Sequence, residues 1–131
     1  MRKLYLVRCT ILILILSCDP SQDLDAVISN RTNQDLKVNF VSSFEESKSI
    51  EIEPISTEFY IKGTGNNSLG GVFFTLIQFD SIYISKNDDV LKVYKENNSG
   101  KNIYNIERYW KRNASKSLVT YTYEITAEDI K

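Results

Sequence analysis

Few side chains in this sequence are equipped for covalent chemistry, and one missing type narrows the field at once. Among 131 residues there is no histidine, which excludes Ser-His-Asp and Cys-His catalysis and His-ligated zinc. Carboxylates remain for proton transfer, with Glu45 beside Glu46 and Glu51 two residues from Glu53. A hydrolase acting on glycans could use such a pair as acid and base. Yet Glu51 and Glu53 alternate with Ile50 and Ile52, which places them on the wet face of a strand, where charge keeps the strand soluble. Ser115-Lys116-Ser117 supplies a nucleophile and an amine, but adjacency in sequence does not bring a base onto a nucleophile. Asp88-Asp89 lacks the ligand spacing of a calcium loop and reads as turn chemistry.

Binding chemistry concentrates in Tyr109-Trp110-Lys111-Arg112. Exposed, these four residues would form an aromatic platform with two cations, able to stack on a sugar or pair with an acidic glycan. The plainer reading makes Trp110 an anchor packed on the end of a sandwich, the usual use of a large aromatic. A glycine-rich run over 63–71 lacks the third glycine of a dinucleotide loop and the Gly-Lys-Ser/Thr ending of a phosphate loop. It reads as a loop between strands and, if the domain binds through an edge, as a candidate part of that edge.

The first residues decide where such a domain would sit. Arg2, Lys3 and Arg8 precede an eight-residue stretch over 9–16 that is apolar apart from Thr10, with its continuous run from Ile11 to Leu16. That stretch is too short for the ~20 residues of a membrane span and suits the roughly 7–15 residues of a signal-peptide core. Ile15-Leu16-Ser17-Cys18 closes it, with large aliphatics at the third and second positions before cysteine and a small residue just before it. This resembles the lipoprotein signal of bacteria, unlike the small-x-small site of plain secretion; a buried N-terminal strand is the remaining alternative. The resemblance implies a signal peptide over 1–17, a lipidated Cys18 carrying palmitate-type chains, a tether over 18–23 and a domain over 24–131. Each buried methylene contributes ~0.8 kcal/mol and a single chain binds only marginally, whereas a triacylated cysteine would hold permanently. The expected location is the cell envelope, the outer membrane in preference to the inner; Asp19, which favours inner-membrane retention in enterobacteria, leaves the leaflet open.

Without the three basic residues of the first seventeen, 13 Lys and Arg face 17 acids, a net charge of −4. A nucleic-acid binder would show a basic footprint instead. Cys9 and Cys18 are the only cysteines, so once one is removed and the other acylated no disulfide can form. Neither a cofactor nor a metal is implied. The length suits one domain with a real core.

Period-two alternation predicts an all-β fold. Leu36, Val38 and Phe40 share an inner face; so do Ile50 and Ile52, Phe59 and Ile61, and Val119, Tyr121, Tyr123 and Ile125. The nearly continuous apolar run over 72–79 suits a strand buried on both faces or a short buried helix. Segments 30–34, 86–89 and 97–100 read as turns, and 103–112 as either a helix or an irregular crossover. Pro54 should stop a strand, and Thr126-Ala127-Glu128-Asp129 resembles a capped helical turn. Seven to nine short strands of this kind predict an antiparallel β-sandwich of immunoglobulin-like type.

Asn30-x-Thr32 with Asp35-Leu36-Lys37-Val38, Asp80-Ser81-Ile82-Tyr83-Ile84, and Tyr121-Thr122-Tyr123-Glu124-Ile125-Thr126 with Glu128-Asp129 resemble small β-sandwich lipoproteins common in Bacteroidota. The resemblance covers most of the chain after the signal, rests on structural motifs and implies no particular activity. Asp80-Ser81-Ile82 also fits the short O-glycosylation pattern of that phylum, although a strand start with Ile82 in the core explains it. The expected function is a membrane-anchored, non-enzymatic binding or structural module with an envelope protein or glycan as partner and no nucleic acid. The alternative is a carboxylate-dependent hydrolase. Residues 19–58 hold nine acids and three bases, against eight bases and four acids over 86–116. Segregated on different faces, these would steer an anionic partner toward Lys111 and Arg112.

Overall fold

The computed structural model describes residues 22–63 and 74–131. The expected signal peptide over 1–17, Cys18, residues 18–21 of the expected tether and residues 64–73, which include most of the glycine run, lie outside the described residues. Among the described residues, eight strands and one helical turn follow in order: β1 (Asp23–Asn30), β2 (Leu36–Val41), β3 (Lys48–Ile52), β4 (Thr57–Ile61), β5 (Ser81–Lys86), β6 (Asp89–Tyr94), α1 (Ile106–Tyr109), β7 (Trp110–Ala114) and β8 (Leu118–Ile125). They form two four-stranded sheets, β4-β1-β8-β7 and β3-β2-β5-β6. A single apolar core drawn from both sheets fills the space between them, as in a β-sandwich.

Alternation drives the packing as expected in β2 and β8, where Leu36, Val38 and Phe40, and Val119, Tyr121, Tyr123 and Ile125, are all buried. Three expectations need correction. The sandwich is not wholly antiparallel: β1 and β8 pair in parallel along their full length, from Asp23 opposite Leu118 to Asn30 opposite Ile125. The long connection between β6 and β7 runs back along the domain instead of turning, so β7 runs in the direction of β6 and β8 in that of β1. Phe59 and Ile61 do not share a face either. Ala26 pairs with Ile61 and Val27 with Phe59, a bulge that leaves Tyr60 as the extra residue, so Tyr60 enters the core while Phe59 is 44% exposed. The described part of 72–79 is neither strand nor helix. Leu76 and Phe79 are buried around a turn closed by Phe79 N–H donating to the Leu76 carbonyl at 3.1 Å, and Ile77 points outward.

The chain crosses repeatedly between the two sheets. Here β1 and β2 enter different sheets, as do β3 and β4. The Lys48 ammonium donates to the Tyr60 carbonyl at 2.8 Å and the Phe40 and Tyr60 rings stack at 4.8 Å, so β3 and β4 close one lateral side. On the other side the Tyr123 hydroxyl donates to that of Tyr94 at 3.3 Å, between β8 and β6. Burial pushes the Tyr94 hydroxyl up to about 12 and drives that of Tyr123 higher still. The pair is therefore a neutral bond inside the core.

Turns divide between the two ends. Asp23, residues 42–47, the connection around Ile77 and residues 115–117 lie at what we call the proximal end, where the described chain begins. The 31–35, 53–56 and 87–88 turns and the C-terminal turn lie at the distal end. The β5–β6 hairpin has a two-residue loop with positive φ at Asn87 (48°) and Asp88 (69°), the twist-matched I′ geometry that Asn and Asp tolerate. Ile55 is stranger, a β-branched residue at φ 53° and 65% exposed. Its N–H donates to the Thr32 carbonyl, and the Ser56 hydroxyl to the Glu53 carbonyl. Those bonds hold a conformation that costs an L-residue on the order of 1–2 kcal/mol. Ile55→Gly should therefore stabilise the domain by roughly 0.5–1 kcal/mol, measured as a rise in the urea midpoint.

Candidate functional site

The segment before Trp110 is shaped by asparagines. Asn102 Nδ2 donates to the carbonyls of Lys95, Glu96 and Asn98, folding residues 95–102 into a closed turn. Asn105 Oδ1 accepts from the Arg108 N–H and caps the single turn of α1. Trp110 then opens β7 and is only 5% exposed. Its indole N–H donates to the Ile103 carbonyl at 2.7 Å, and its ring meets Phe74 edge-on at 4.9 Å and Tyr123 at 5.4 Å. The packing-anchor reading describes this geometry. A sugar-stacking platform is closed to Trp110, because its faces are occupied by core rings and its polar edge by backbone.

Its neighbours separate accordingly. Tyr109 is half-buried with the Arg108 guanidinium 5.2 Å from its ring. Lys111 and Arg112 are exposed. The Lys111 ammonium bonds Glu124 at 3.0 Å, and the Arg31 guanidinium reaches the other oxygen of Glu124 at 3.1 Å. The Lys111 bond is the main reason the Glu124 carboxyl lies below its ordinary range, with Arg31 adding to it against desolvation. Two cations sharing one carboxylate leave this outer face of the first sheet locally positive.

The other chemically equipped groups are built into turns. Ser115 Oγ donates to the Leu118 carbonyl and accepts from its N–H, closing the β7–β8 hairpin; Lys116 is exposed beside it. Asp80 accepts from the Ser43 N–H at 2.6 Å, Ser81 begins β5, and Ile82 is fully buried, as a strand start requires. At the C-terminus, Asp129 accepts from the Thr126 N–H and hydroxyl, the expected cap, and from the Lys101 ammonium at 2.6 Å. Burial works to raise the Asp129 carboxyl, but these donors outweigh it and leave the group below the ordinary Asp value. Because its folded pKa is depressed, its stabilising contribution is full above about pH 4, the unfolded Asp value, and is lost as pH falls through the folded pKa. Asp129→Asn should lower stability at neutral pH and flatten this part of the acid limb, as read by urea unfolding between pH 2 and 6.

The feature that sequence reading missed is at the distal end. An open groove of about 480 Å³ is lined by side chains from the 31–35, 53–56 and 87–88 turns and their flanking strands, including Lys37, Glu51, Glu53, Glu58, Lys86 and Asp88. Asn30 sits beneath it, fully buried. Its Nδ2 donates to the carbonyls of Gln34, Ile52 and Glu53 at 2.8, 3.1 and 3.0 Å, and its Oδ1 accepts from the Thr32 N–H and hydroxyl. Asn30-x-Thr32 is thus the staple joining the β1–β2 and β3–β4 turns. The available signal was Asn30-x-Thr32 itself, which reads as a turn and is one of four Asn-x-Ser/Thr sequences, with those at Asn66, Asn97 and Asn113. Glu51 lies 3.7 Å from Lys37, and no group of three or more acids, cysteines or histidines among the described residues is arranged to hold a metal.

The segregation of charge is now defined. The acid-rich segment supplies β3 and β4, which form one lateral side with Glu45, Glu46, Glu51, Glu53 and Glu58. The base-rich segment supplies β6 and β7 on the other, with Lys92, Lys95, Arg108, Lys111 and Arg112. The two do not face each other across the core. No protein family, curated protein or solved structure matches this chain.

Proposed function

We propose that the protein is a lipid-anchored, non-enzymatic binding module of a bacterial envelope, in which acylated Cys18 holds the proximal end at the membrane and the distal end presents the binding surface. The observation that carries the reading is the separation of the two. Asp23 begins β1 at the proximal end, where its N–H donates to the Ser117 carbonyl and Gln22 bonds the carbonyl of Ser115. The groove opens at the opposite end, over turns fastened together by Asn30. Rigid turns on a sandwich end suit recognition because little conformational entropy is lost on binding. From an immunoglobulin-like domain the proposal takes the use of end loops for binding. The partner is an envelope protein or a glycan.

A carboxylate hydrolase is the second reading, supported by Glu51, Glu53 and Glu58 sharing one groove. Capture from intact cells with the anchored protein separates the alternatives, with Cys18→Ala as soluble control. A binding module should retain one envelope partner, lose it on joint Glu51→Lys and Glu53→Lys substitution, and keep it after Lys111→Ala. Glycan turnover abolished by Glu→Gln changes in the groove would establish the hydrolase instead.

A further inference from the structure

We infer that Phe44 and Ile77 form an apolar foot that inserts into the interface of the bilayer to which the domain is anchored, so that the proximal end sits on the membrane instead of hanging from a free tether. The inference rests on the proposed acylation of Cys18. Phe44 and Ile77 are the most exposed large apolar side chains among the described residues, at 91% and 66%.

Neither side chain projects by default. Ser42 Oγ accepts from the N–H groups of Phe44 and Glu45 at 3.2 and 3.0 Å, and the Ser43 N–H donates to Asp80 at 2.6 Å. The loop is therefore a hydrogen-bonded knuckle with phenylalanine at its tip. Ile77 occupies the outer corner of a turn whose flanks, Leu76 and Phe79, are both in the core. The Ser42 hydroxyl donates to the Gln78 carbonyl at 2.8 Å and joins the two knuckles. Both side chains thus project from one hydrogen-bonded pair of loops.

The reach of the chain selects the occupant. From Asp23 to Cys18 there are five residue steps, which even fully extended cover roughly 17 Å. An acyl anchor at Cys18 therefore keeps the proximal end within a short distance of the headgroups. A phenylalanine and an isoleucine held rigidly there meet the interface as readily as water, and apolar side chains partition into the boundary between headgroups and acyl chains. Insertion would fix the orientation of the domain and aim the distal groove away from the membrane. Ile55, comparably exposed at 65% but at the distal end, should stay in water.

The test uses the acylated protein, beginning at Cys18, reconstituted in phosphatidylcholine vesicles with bromine on the acyl chains. Phe44→Trp and Ile55→Trp are compared with the parent, whose one tryptophan is the buried Trp110. The expected result is loss of most of the added emission for Phe44→Trp, none for Ile55→Trp, and shielding of Phe44→Trp from aqueous iodide only when vesicles are present. Protein that floats with the vesicles while Phe44→Trp escapes bromine overturns the inference and leaves the anchor standing. Iodide shielding without vesicles that grows with protein concentration also overturns it, in favour of a second copy on this surface. Protein that fails to float overturns anchor and foot together.

Discussion

Trp110→Ala is expected to lower the stability of the domain by about 3–5 kcal/mol, the usual cost of deleting a large buried aromatic. Against a total of roughly 5–15 kcal/mol for a domain, that is enough to move thermal unfolding by roughly 10–20 °C. Three losses coincide at this position. The indole leaves a cavity among Phe74, Tyr123 and the rest of the core, the edge contact with Phe74 at 4.9 Å disappears, and the Ile103 carbonyl loses a 2.7 Å donor. Trp110→Phe keeps most of the volume and should recover more than half of the loss, the remainder measuring the N–H bond. Lys111→Ala and Arg112→Ala, whose side chains are exposed, should change stability by less than about 1 kcal/mol. Urea unfolding of the four variants provides the check. A Trp110→Ala protein as stable as the parent would mean that the indole is not the anchor described.

Asn30→Asp is the most damaging nearly isosteric change the structure offers, with an expected loss of about 3–5 kcal/mol near neutral pH. The amide orientation follows from its surroundings. Three carbonyls face Nδ2, whereas an N–H and a hydroxyl face Oδ1. A carboxylate there would set an anionic oxygen against three acceptors, out of reach of water. The new acid would consequently have a raised pKa, so protonation at low pH should restore part of the lost stability, the reverse of the behaviour of Asp129. Asn30→Ala avoids the charge and should cost about 2–3 kcal/mol through unpaired groups. Both variants should loosen the distal turns before the rest of the domain, as faster amide exchange at Gln34 and Ile55. Uniform exchange across the domain would contradict the staple.

How far these features were legible in the sequence depended on whether they are local. Alternation in β2 and β8 and the turn residues at Asn87 and Asp88 are local signals, and all three read correctly. The Tyr60 bulge did not, because an extra residue shifts the phase of a strand only in relation to its partner, β1. The parallel pairing of β1 and β8 was equally hidden, since it follows from the direction of a connection whose path is set by side-chain bonds such as those of Asn102. The apolar run over 72–79 misled for a related reason. Leu76 and Phe79 are buried by a turn that sends Ile77 outward, and hydrophobicity does not distinguish a buried strand from an anchored loop. Of the site residues suggested by type, Trp110 was legible as an anchor through its size, and Lys111 and Arg112 as surface cations. The distal groove was invisible, because its lining residues lie far apart in sequence and meet only through Asn30.

The central claim is that the domain is tied to a membrane through Cys18, and intact mass of the protein extracted from membranes tests it most directly. The account predicts a chain beginning at Cys18, heavier than the bare polypeptide by a diacylglyceryl group and an amide-linked acyl chain, and a Cys18→Ala form that leaves the membrane fraction. An unmodified mass that retains residues 1–17, or a chain cut elsewhere with Cys18 free of lipid, would contradict it.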